Sequence, residues 1–262
     1  MSIGNKEEED SVTQNLAGAF SGAFLQGVLM EEIAKQENGA DIVNTLHGLT
    51  FNPYSQYLYI DKNTGSINWV VNSLTDEADN FILKPLLNEN FKEFYVKAIS
   101  KKFVIENKEI KELLMSELTK NFYQEDSAGV FEIQFLTPTS FRQNNKYQFQ
   151  FDFRLFWQSL VMKYGFIFEQ NKEPEVGLLD ELAKYSHMLS YSLHSYYYNV
   201  GGYNPKTKQS AKIPGFIGRI KIKVTGAQTL KNYAAMLLRF SEFCGIGIKT
   251  SMGMGGVKVN NE

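Results

Sequence analysis

The chain has 262 residues, 43% of them hydrophobic and 14% aromatic, which is enough for a buried core and excludes an intrinsically disordered protein. Its single cysteine, Cys244, excludes a disulfide-stabilised fold and indicates a reducing compartment. No apolar run approaches the roughly 20 residues of a membrane-spanning helix. The acidic start MSIGNKEEED is unlike a signal peptide. We therefore expect a cytoplasmic protein without membrane contact.

The net charge of −2 conceals an uneven distribution of charge along the chain. Residues 1–130 contain 11 basic and 20 acidic side chains, whereas residues 131–262 contain 16 basic and 9 acidic ones. The segment 203–258 is more basic still, with ten cations and one acid, Glu242. A basic surface of this kind attracts polyanions even on an acidic protein, and an uneven but solvated surface is the alternative.

Hydrophobic periodicity predicts alternating helices and strands in the first part of the chain. Apolar residues recur at helical spacing within 11–37, and two β-rich runs around Asp61, Asn63 and Gly65 predict a hairpin over 57–71. The other predicted elements here are helices at 40–48, 75–87 (with Thr75 as its N-cap) and 107–122 and strands within 91–106. No strand is predicted before the first helix, because MSIGNKEEED is a poor strand sequence.

The second part of the chain, after a polar break at 123–130, repeats this alternation. Its predicted strands are 131–136, 190–200, 216–226 and 254–259, and its predicted helices are 151–168, 175–189 and 229–243 (with Thr229 as cap). A turn at 137–141 and a basic loop at 202–215 are predicted as irregular segments. This rhythm predicts an α+β fold of two tandem ferredoxin-like (RRM-like) domains, at 1–124 and 128–262.

The stretch GIGIKTSMGMGG, residues 245–256, contains five glycines between a predicted helix and a predicted strand. It is not a Walker A motif, because Ile248 separates Gly247 from Lys249, and its glycine spacing is not that of a Rossmann fingerprint. Closely spaced glycines let backbone N–H groups form a nest for a phosphate. The alternative is helix capping by Gly245 together with turn glycines, which alone explains one or two of the five.

The segment IPGFIGRIKIKVTGAQTLKNYAAMLLRFSEFCGIGIKTSMGMGG resembles the C-terminal signature of the CRISPR precursor-RNA processing endoribonucleases, in the repeat-associated RNA-binding protein superfamily. The shared pattern is a G-F-x-G strand, an amphipathic helix and G-h-G-x-K-T-x-x-G-h-G. FLTPTSFR, FWQSLVMKYG and LHGLTFNPYS match further, and the NPY segment followed by INWVVNSLTD is most like members found with type III-A systems. The resemblance extends from about residue 20 to the end.

The resemblance implies two ferredoxin-like domains and metal-independent cleavage of CRISPR repeat RNA by 2′-OH attack, with neither a cofactor nor a metal site. It also implies that a histidine at the end of the first domain's helical segment acts in catalysis, and His47 occupies that position. Histidine is the side chain best suited to exchange a proton near neutral pH. The helper residues of the family match less well: Met30 stands where some members carry Tyr. Tyr54 and Lys35 are the candidate substitutes, and a packing role for Tyr54 is the alternative.

RNA binding requires cations and stacking surfaces. By strand alternation, Arg219, Lys221 and Lys223 share one face and adjoin a basic loop, so they are candidates for phosphate contacts. The remaining candidates for RNA binding are Lys212 and, in the glycine stretch, Gly245, Gly247, Lys249, Thr250, Ser251, Gly253 and Gly255. The basic loop adds Lys206 and Lys208, and the candidates for base stacking are Tyr196, Tyr197, Tyr198 and Tyr203. Half of the tyrosines are expected in the core.

The leading hypothesis is an endoribonuclease that cleaves CRISPR repeat transcripts into crRNAs. The alternative is a non-catalytic RNA-binding subunit of a CRISPR ribonucleoprotein complex, because His47 is present but the family's usual helpers are not. The expected partner is precursor CRISPR RNA. Whether the protein forms a homodimer, or makes a transient contact with a type III effector complex, stays open.

Overall fold

The computed structural model describes residues 1–4, 22–49, 51–61, 63–124, 126–169, 176–204 and 209–261. The chain forms two compact units that interleave in sequence. The first unit comprises residues 1–110, 198–212 and 251–253, and the second comprises 111–197, 213–250 and 254–262. The predicted domain bounds, 1–124 and 128–262, stay a prediction.

The first unit consists of a five-stranded antiparallel sheet and helices. Its strands are β1 (Ser2–Gly4), β2 (Tyr54–Ile60), β3 (Ile67–Ser73), β4 (Glu93–Val96) and β5 (Lys101–Asn107), in the order β2-β3-β1-β5-β4. Its helices are α1 (Gly22–Ala34), α2 (Gly39–Gly48) and α3, which consists of the consecutive segments Asp76–Ala78, Asp79–Leu83 (π-helical) and Lys84–Leu87. A separate 3-10 turn spans Lys97–Ile99. The Thr75 Oγ1 accepts a hydrogen bond from the Ala78 N–H, as the N-cap prediction requires.

Strand β1 corrects the prediction that no strand precedes the first helix. It lies between β3 and β5 and pairs antiparallel with both. The N-terminal ammonium of Met1 donates to the Trp69 carbonyl at 2.9 Å, and the Trp69 N–H donates to the Met1 carbonyl at 2.9 Å. Strand β3 supplies these hydrogen bonds and β5 pairs with the other edge, so three residues with no amphipathic repeat are enough to form a central strand.

Apolar side chains from α1 and from the sheet form the core of the first unit. Leu25, Leu29 and Ile33 are fully buried on α1 at helical spacing. Trp69 on β3 is also fully buried and lies 5.2 Å from the Phe94 ring, centroid to centroid. Helix α1 therefore packs through one apolar stripe, as the periodicity of 11–37 predicts; residues 11–21 of that range are outside the described residues.

The second unit has the same alternation of strands and helices. Its strands are β6 (Val130–Thr139), β7 (Phe141–Gln143), β8 (Lys146–Gln148), β9 (Ser186–Asn204), β10 (Gln209–Val224) and β11 (Val257–Asn261). Its helices are α4 (Met115–Gln124), α5 (Phe153–Tyr164, continued by a π-helical segment, Gly165–Glu169), α6 (Val176–Tyr185) and α7 (Gln228–Cys244), with a 3-10 turn at Thr250–Met252. The end of β9, the start of β10 and part of this turn belong to the first unit.

The main sheet of the second unit has the order β11-β6-β10-β9, and β7 and β8 form a separate hairpin. In a ferredoxin-like sheet, the first strand lies between the third and the fourth, and helices form the two crossovers. In the second unit β6 has this position, between β10 and β11, and in the first unit β1 has it, between β3 and β5. The predicted fold class is therefore confirmed.

Five local predictions are wrong. The predicted helix 107–122 begins only at Met115, and Asn107 is the last residue of β5. The predicted turn at 137–141 belongs to β6 and β7, because Thr139 pairs with Phe216. The predicted helix 175–189 ends at Tyr185, and β9 begins at once. The predicted loop 202–215 is mostly strand, and its remaining residues, 205–208, lie outside the described chain. Helix α7 begins at Gln228 with no side-chain cap, so the predicted Thr229 cap is absent.

Candidate functional site

His47 lies in the last turn of α2 and its side chain is exposed. The preceding Leu46 is buried and anchors the end of the helix in the core. The Leu49 N–H closes the helix by donating to the Leu46 carbonyl at 3.4 Å. The imidazole is therefore held at an ordered helix end and is accessible to a ligand, as a residue that exchanges protons with substrate must be.

Lys35 directly follows α1, and its side chain is 67% exposed. Its ammonium forms an ion pair with Glu32, one turn earlier. Exposed pairs of this kind contribute little to stability. The pair nevertheless gives the ammonium a competing carboxylate, so Lys35 can contact a phosphate only by leaving Glu32.

Tyr54 is the first residue of β2 and is only 1% exposed. The Gln26 Nε2 donates to its hydroxyl at 3.3 Å. Burial raises the pKa of the Tyr54 hydroxyl, and hydrogen bonds with Gln26 and Ser251 oppose this in part. The phenol thus keeps its proton in a packed site. Its ring has a packing role, and a role for its hydroxyl in cleavage stays a prediction.

Ser251, a predicted RNA-binding residue, is held by polar side chains within the first unit. Gln56 Nε2 donates to the Ser251 carbonyl at 2.7 Å, and Asn52 Nδ2 donates to its hydroxyl at 3.2 Å. The other end of the Gln56 amide accepts a hydrogen bond from Trp69 Nε1 at 2.9 Å. Sequence reasoning missed Gln56, although a glutamine inside a strand that is mostly apolar and aromatic is a signal for a buried polar contact.

The glycine stretch 245–256 donates several of its backbone N–H groups to the protein itself. The Gly247 N–H donates to Ser159 Oγ at 2.7 Å, and the Gly255 N–H donates to the Pro138 carbonyl at 3.0 Å. The Gly245 N–H donates to the carbonyl of Ser241, one turn back in α7, at 2.8 Å. These three N–H groups are therefore occupied within the fold, and a phosphate would have to be bound by other groups of the stretch.

The same glycines have a steric reason to be glycine. Gly245, Gly247 and Gly255 have φ angles of +68°, +82° and +71°. A Cβ added to Gly247 would lie 2.3 Å from the Ser140 carbonyl oxygen, and one on Gly255 would lie 2.0 Å from the Ile246 carbonyl oxygen. Both distances are shorter than van der Waals contact. Capping and packing therefore account for more of the glycines than the sequence suggests, and their part in RNA binding stays a prediction.

Other residues of this stretch differ in exposure. Lys249 is exposed and has a φ of +57°, in the left-handed region. Thr250 is half-buried, and Gly253 is buried with a φ of +97°. Among these, Lys249 presents the cation that a bound phosphate requires.

Lys163 on α5 is a buried cation beneath the glycine stretch that sequence reasoning did not single out. Its Nζ donates to the carbonyls of Gly245 at 2.8 Å and Cys244 at 3.3 Å, at the C-terminal end of α7. Burial lowers the pKa of Lys163 to about 8, although the nearby Cys244 acts in the opposite direction. Burial also raises the pKa of the Cys244 thiol to about 12. A cation at a helix C-terminus is favourable, because it complements the terminal carbonyls.

Strand β10 presents its cations on one face, as its alternation predicts. Ile220 and Ile222 are buried, whereas Arg219 and Lys223 are exposed and Lys221 is half-buried. We call the open side of this sheet, which carries Arg219, Lys221 and Lys223, the basic face. Across the sheet, Arg219 pairs with Gln134 of β6, which pairs with Lys258 of β11. Lys258 therefore belongs to the basic face and was missed, although VKV has the same alternation. Arg219 Nη1 lies 3.7 Å from Glu132 Oε1 on this face.

The remaining predicted contacts are distributed unevenly. Lys212 is exposed on β10, and Lys206 and Lys208 lie outside the described residues, as does the side chain of Tyr203. Tyr196 and Tyr197 are exposed. Tyr198 is buried, and its hydroxyl donates to the Met252 carbonyl at 2.8 Å. One of the three described tyrosines is thus a structural residue, but the neighbours Tyr196 and Tyr197 are both exposed, so strict alternation does not hold along this part of β9.

Within the described residues, no group of three or more His, Cys, Asp or Glu side chains is arranged to hold a metal ion. None of the helices in that part of the chain has the length and apolar character that crossing a membrane requires.

Comparisons with known proteins identify close similarities. Residues 133–257 match the family described as CRISPR-associated endoribonuclease Cas6. A CRISPR-associated endoribonuclease Cas6 of Mycobacterium tuberculosis is 36% identical over 252 residues, which cover 96% of this chain and 76% of that protein. A CRISPR-associated endoribonuclease Cas6 of Streptococcus thermophilus is 36% identical over 250 residues, covering 95% of this chain and 93% of that protein.

Solved structures share the fold. A Cas6 product complex superposes with a TM-score of 0.70 at 16% identity, covering 92% of this chain and 93% of that chain. Thermus thermophilus Cas6 superposes with a TM-score of 0.63 at 15% identity, covering 99% and 96%. Identities this low show a common fold of the two chains and carry no residue roles from one to the other.

Proposed function

Because the chain belongs to the CRISPR-associated endoribonuclease Cas6 family, we propose that it cleaves CRISPR repeat RNA in precursor transcripts to give crRNAs. The observation that carries this proposal is 36% identity to two endoribonucleases of the family along nearly the whole chain. The basic face of the second unit fits a polyanionic substrate, because cations near phosphates supply most of the affinity for a nucleic acid.

The proposed reaction is an internal transesterification. A ribose 2′-oxygen bonds to the adjacent phosphorus as the bond from phosphorus to the 5′-oxygen breaks. A general base takes the 2′-OH proton, and a general acid gives a proton to the departing 5′-oxygen. The products are a 2′,3′-cyclic phosphate and a 5′-OH. The reaction needs no oxidant, and much of its rate comes from holding the 2′-oxygen in line with the leaving group.

His47 is the residue we propose for proton transfer. Of the three candidate catalytic residues, Tyr54 is buried and Lys35 is paired with Glu32. His47 is exposed at an ordered helix end. Lys35 would contact a phosphate after leaving Glu32, and Tyr54 would support the segment that follows His47.

A second candidate function is a non-catalytic RNA-binding subunit. The hydrogen bonds of the two helper candidates favour it: the Tyr54 hydroxyl accepts a hydrogen bond from Gln26, and the Lys35 ammonium pairs with Glu32. Without assistance from these two residues, His47 would leave the bound repeat uncut.

The finer part of the proposal concerns the setting of the reaction. We infer a cytoplasmic protein of the type III-A kind, and its transient contact with a type III effector complex and its homodimer are the two open alternatives for its assembly. The resemblance of the NPY segment, residues 52–54, and of INWVVNSLTD supports the subtype. Sedimentation of the RNA-free protein tests the homodimer.

The test of the enzyme is cleavage of the cognate repeat RNA in EDTA, with a matched RNA that carries one 2′-deoxyribose at the cut site. We expect the intact RNA to be cleaved and the 2′-deoxy RNA to be bound equally well but left uncut, because it lacks the attacking oxygen. Tight binding of intact RNA without cleavage would support the RNA-binding subunit and contradict the enzyme.

A further inference from the structure

Strand β9 presents a row of exposed apolar and aromatic side chains at the edge of the second unit's sheet. It is the outer strand of the order β11-β6-β10-β9. Leu189, Tyr191 and Tyr197 are exposed, with Tyr191 at 73% and Tyr197 at 68%. These residues have odd numbers, so strand alternation puts them on one face. Tyrosines this exposed bury little of their apolar area in the protein and are available to a ligand.

This row lies on the basic face. His187 Nε2 is 3.2 Å from Thr225 Oγ1. Thr225 directly follows β10 and, like the cations of the basic face, has an odd number, so it lies on the same side of the sheet as they do. Ser186, of the opposite parity, is buried and its Oγ accepts a hydrogen bond from Trp157 Nε1 of α5 at 2.9 Å. The even positions at the start of β9 therefore face the helices, and the odd positions face the open side.

Tyr191 lies beside a cation of the neighbouring strand. A Cβ added to Gly218 would lie 2.0 Å from the Ser192 carbonyl oxygen, so these two residues are adjacent across β9 and β10. The Thr225 N–H also donates to the Tyr185 carbonyl at 2.9 Å, and this antiparallel register, continued along both strands, places Tyr191 opposite Arg219. Side chains in such positions have Cβ atoms about 5 Å apart, which is close enough to act on one nucleotide.

We propose that Tyr191 stacks on a base of single-stranded RNA that runs along β9, while Arg219 and Lys223 hold its phosphates. The inference rests on the proposed function and adds a substrate class, unpaired RNA, at a stated surface. Every base has a face that an aromatic ring can cover, and an RRM-like sheet that stacks bases on exposed aromatics is a common way to bind single strands.

Charge favours RNA over a second copy of the chain as the occupant. Strands β9 and β10, residues 186–204 and 209–224, contain no Asp or Glu. Two copies stacked through this face would bring the cations of β10 toward each other, and Glu132, the one carboxylate paired with Arg219 there, offsets only part of that repulsion. A polyanion meets the same cations with attraction, and the exposed rings cover its bases.

The experiment measures the affinity of the full chain for a fluorescein-labelled oligouridylate by anisotropy. The variants are Tyr191→Ala, Tyr191→Phe and the matched control Tyr123→Ala, whose ring on α4 is 78% exposed. We expect Tyr191→Ala to weaken binding about tenfold. Tyr191→Phe keeps a stacking ring and should bind as the wild type does, and Tyr123→Ala should leave the affinity unchanged.

The outcomes separate this inference from the proposed function. If Tyr191→Ala binds the oligouridylate as the wild type does while the wild type cleaves repeat RNA, the stacking site is wrong and the proposed function stands. If Tyr191→Ala converts a dimer to a monomer in light scattering with its RNA affinity unchanged, the surface joins two copies and the inference is overturned. A wild type that neither binds the oligouridylate nor cleaves repeat RNA contradicts both.

Discussion

Gly247→Ala should destabilise the second unit through its effect on backbone packing. Gly247 has a φ of +82°, and an added Cβ would lie 2.3 Å from the Ser140 carbonyl oxygen. A left-handed conformation costs a residue with a Cβ roughly 1–2 kcal/mol. Relieving an overlap with backbone costs about 1–3 kcal/mol more. We therefore expect the free energy of unfolding to fall by about 3 kcal/mol, measured by urea denaturation followed by circular dichroism.

The matched control is Gly226→Ala, in the same unit. Gly226 has a φ of +91°, but the nearest atom to its added Cβ is Tyr185 Cγ at 3.4 Å, an ordinary contact. Gly226→Ala has the cost of the left-handed conformation but no steric overlap, so its free energy of unfolding should fall by about 1 kcal/mol. Equal losses for the two variants would refute the packing of Gly247 against Ser140. An unchanged stability of Gly247→Ala with weakened RNA binding would show that this glycine serves the ligand instead.

Three further predictions follow from the site. His47→Ala should keep RNA affinity and slow single-turnover cleavage at least about 100-fold, whereas the exposed His194→Ala should not; equal rates would remove His47 from the chemistry. Lys163 should make the protein more stable as pH rises from about 8 to 10.5, because the unfolded state binds more protons there. The gain is on the order of 3 kcal/mol, and Lys163→Met should lack it. Lys223→Ala should lower the slope of log affinity against log salt by about 0.7–0.9, and Lys184→Ala, on α6, should not; an unchanged slope would take Lys223 out of the interface.

Local patterns predicted the parts of the fold that local forces determine. The hairpin of β2 and β3 follows from its Asp, Asn and Gly turn, and the Thr75 cap from one hydroxyl before an acidic first turn. The alternation of Ile220 and Ile222 with cations gave the two faces of β10, because one face is buried in the core.

Features that depend on distant partners were not predictable from local patterns. Strand β1 exists because β3 and β5 pair with it on both sides, and its own three residues have no strand signal. Thr139 is in a strand because it pairs with Phe216, far along the chain. Local sequence carries no record of such pairings, so the predicted turn at 137–141 was wrong.

The candidate site shows the same limit. Residue types pointed to His47, whose position before a helix-ending glycine already implied exposure. They left a packing role and a role in cleavage open for Tyr54, which is buried, and they did not show that the glycines have positive φ angles and lie against carbonyl oxygens. Glycine in a sequence indicates conformational freedom, and only the packed structure tells whether a ligand or the fold uses it.

The central claim, cleavage by a 2′-oxygen, is tested most directly by the ends of the product strands. Mass spectrometry of the two fragments from one round of cleavage of repeat RNA identifies the group on each new end. We expect a 2′,3′-cyclic phosphate on the upstream fragment and a 5′-OH on the downstream one. A 3′-OH with a 5′-phosphate would mean that water attacked from outside the RNA, which would contradict the proposed mechanism.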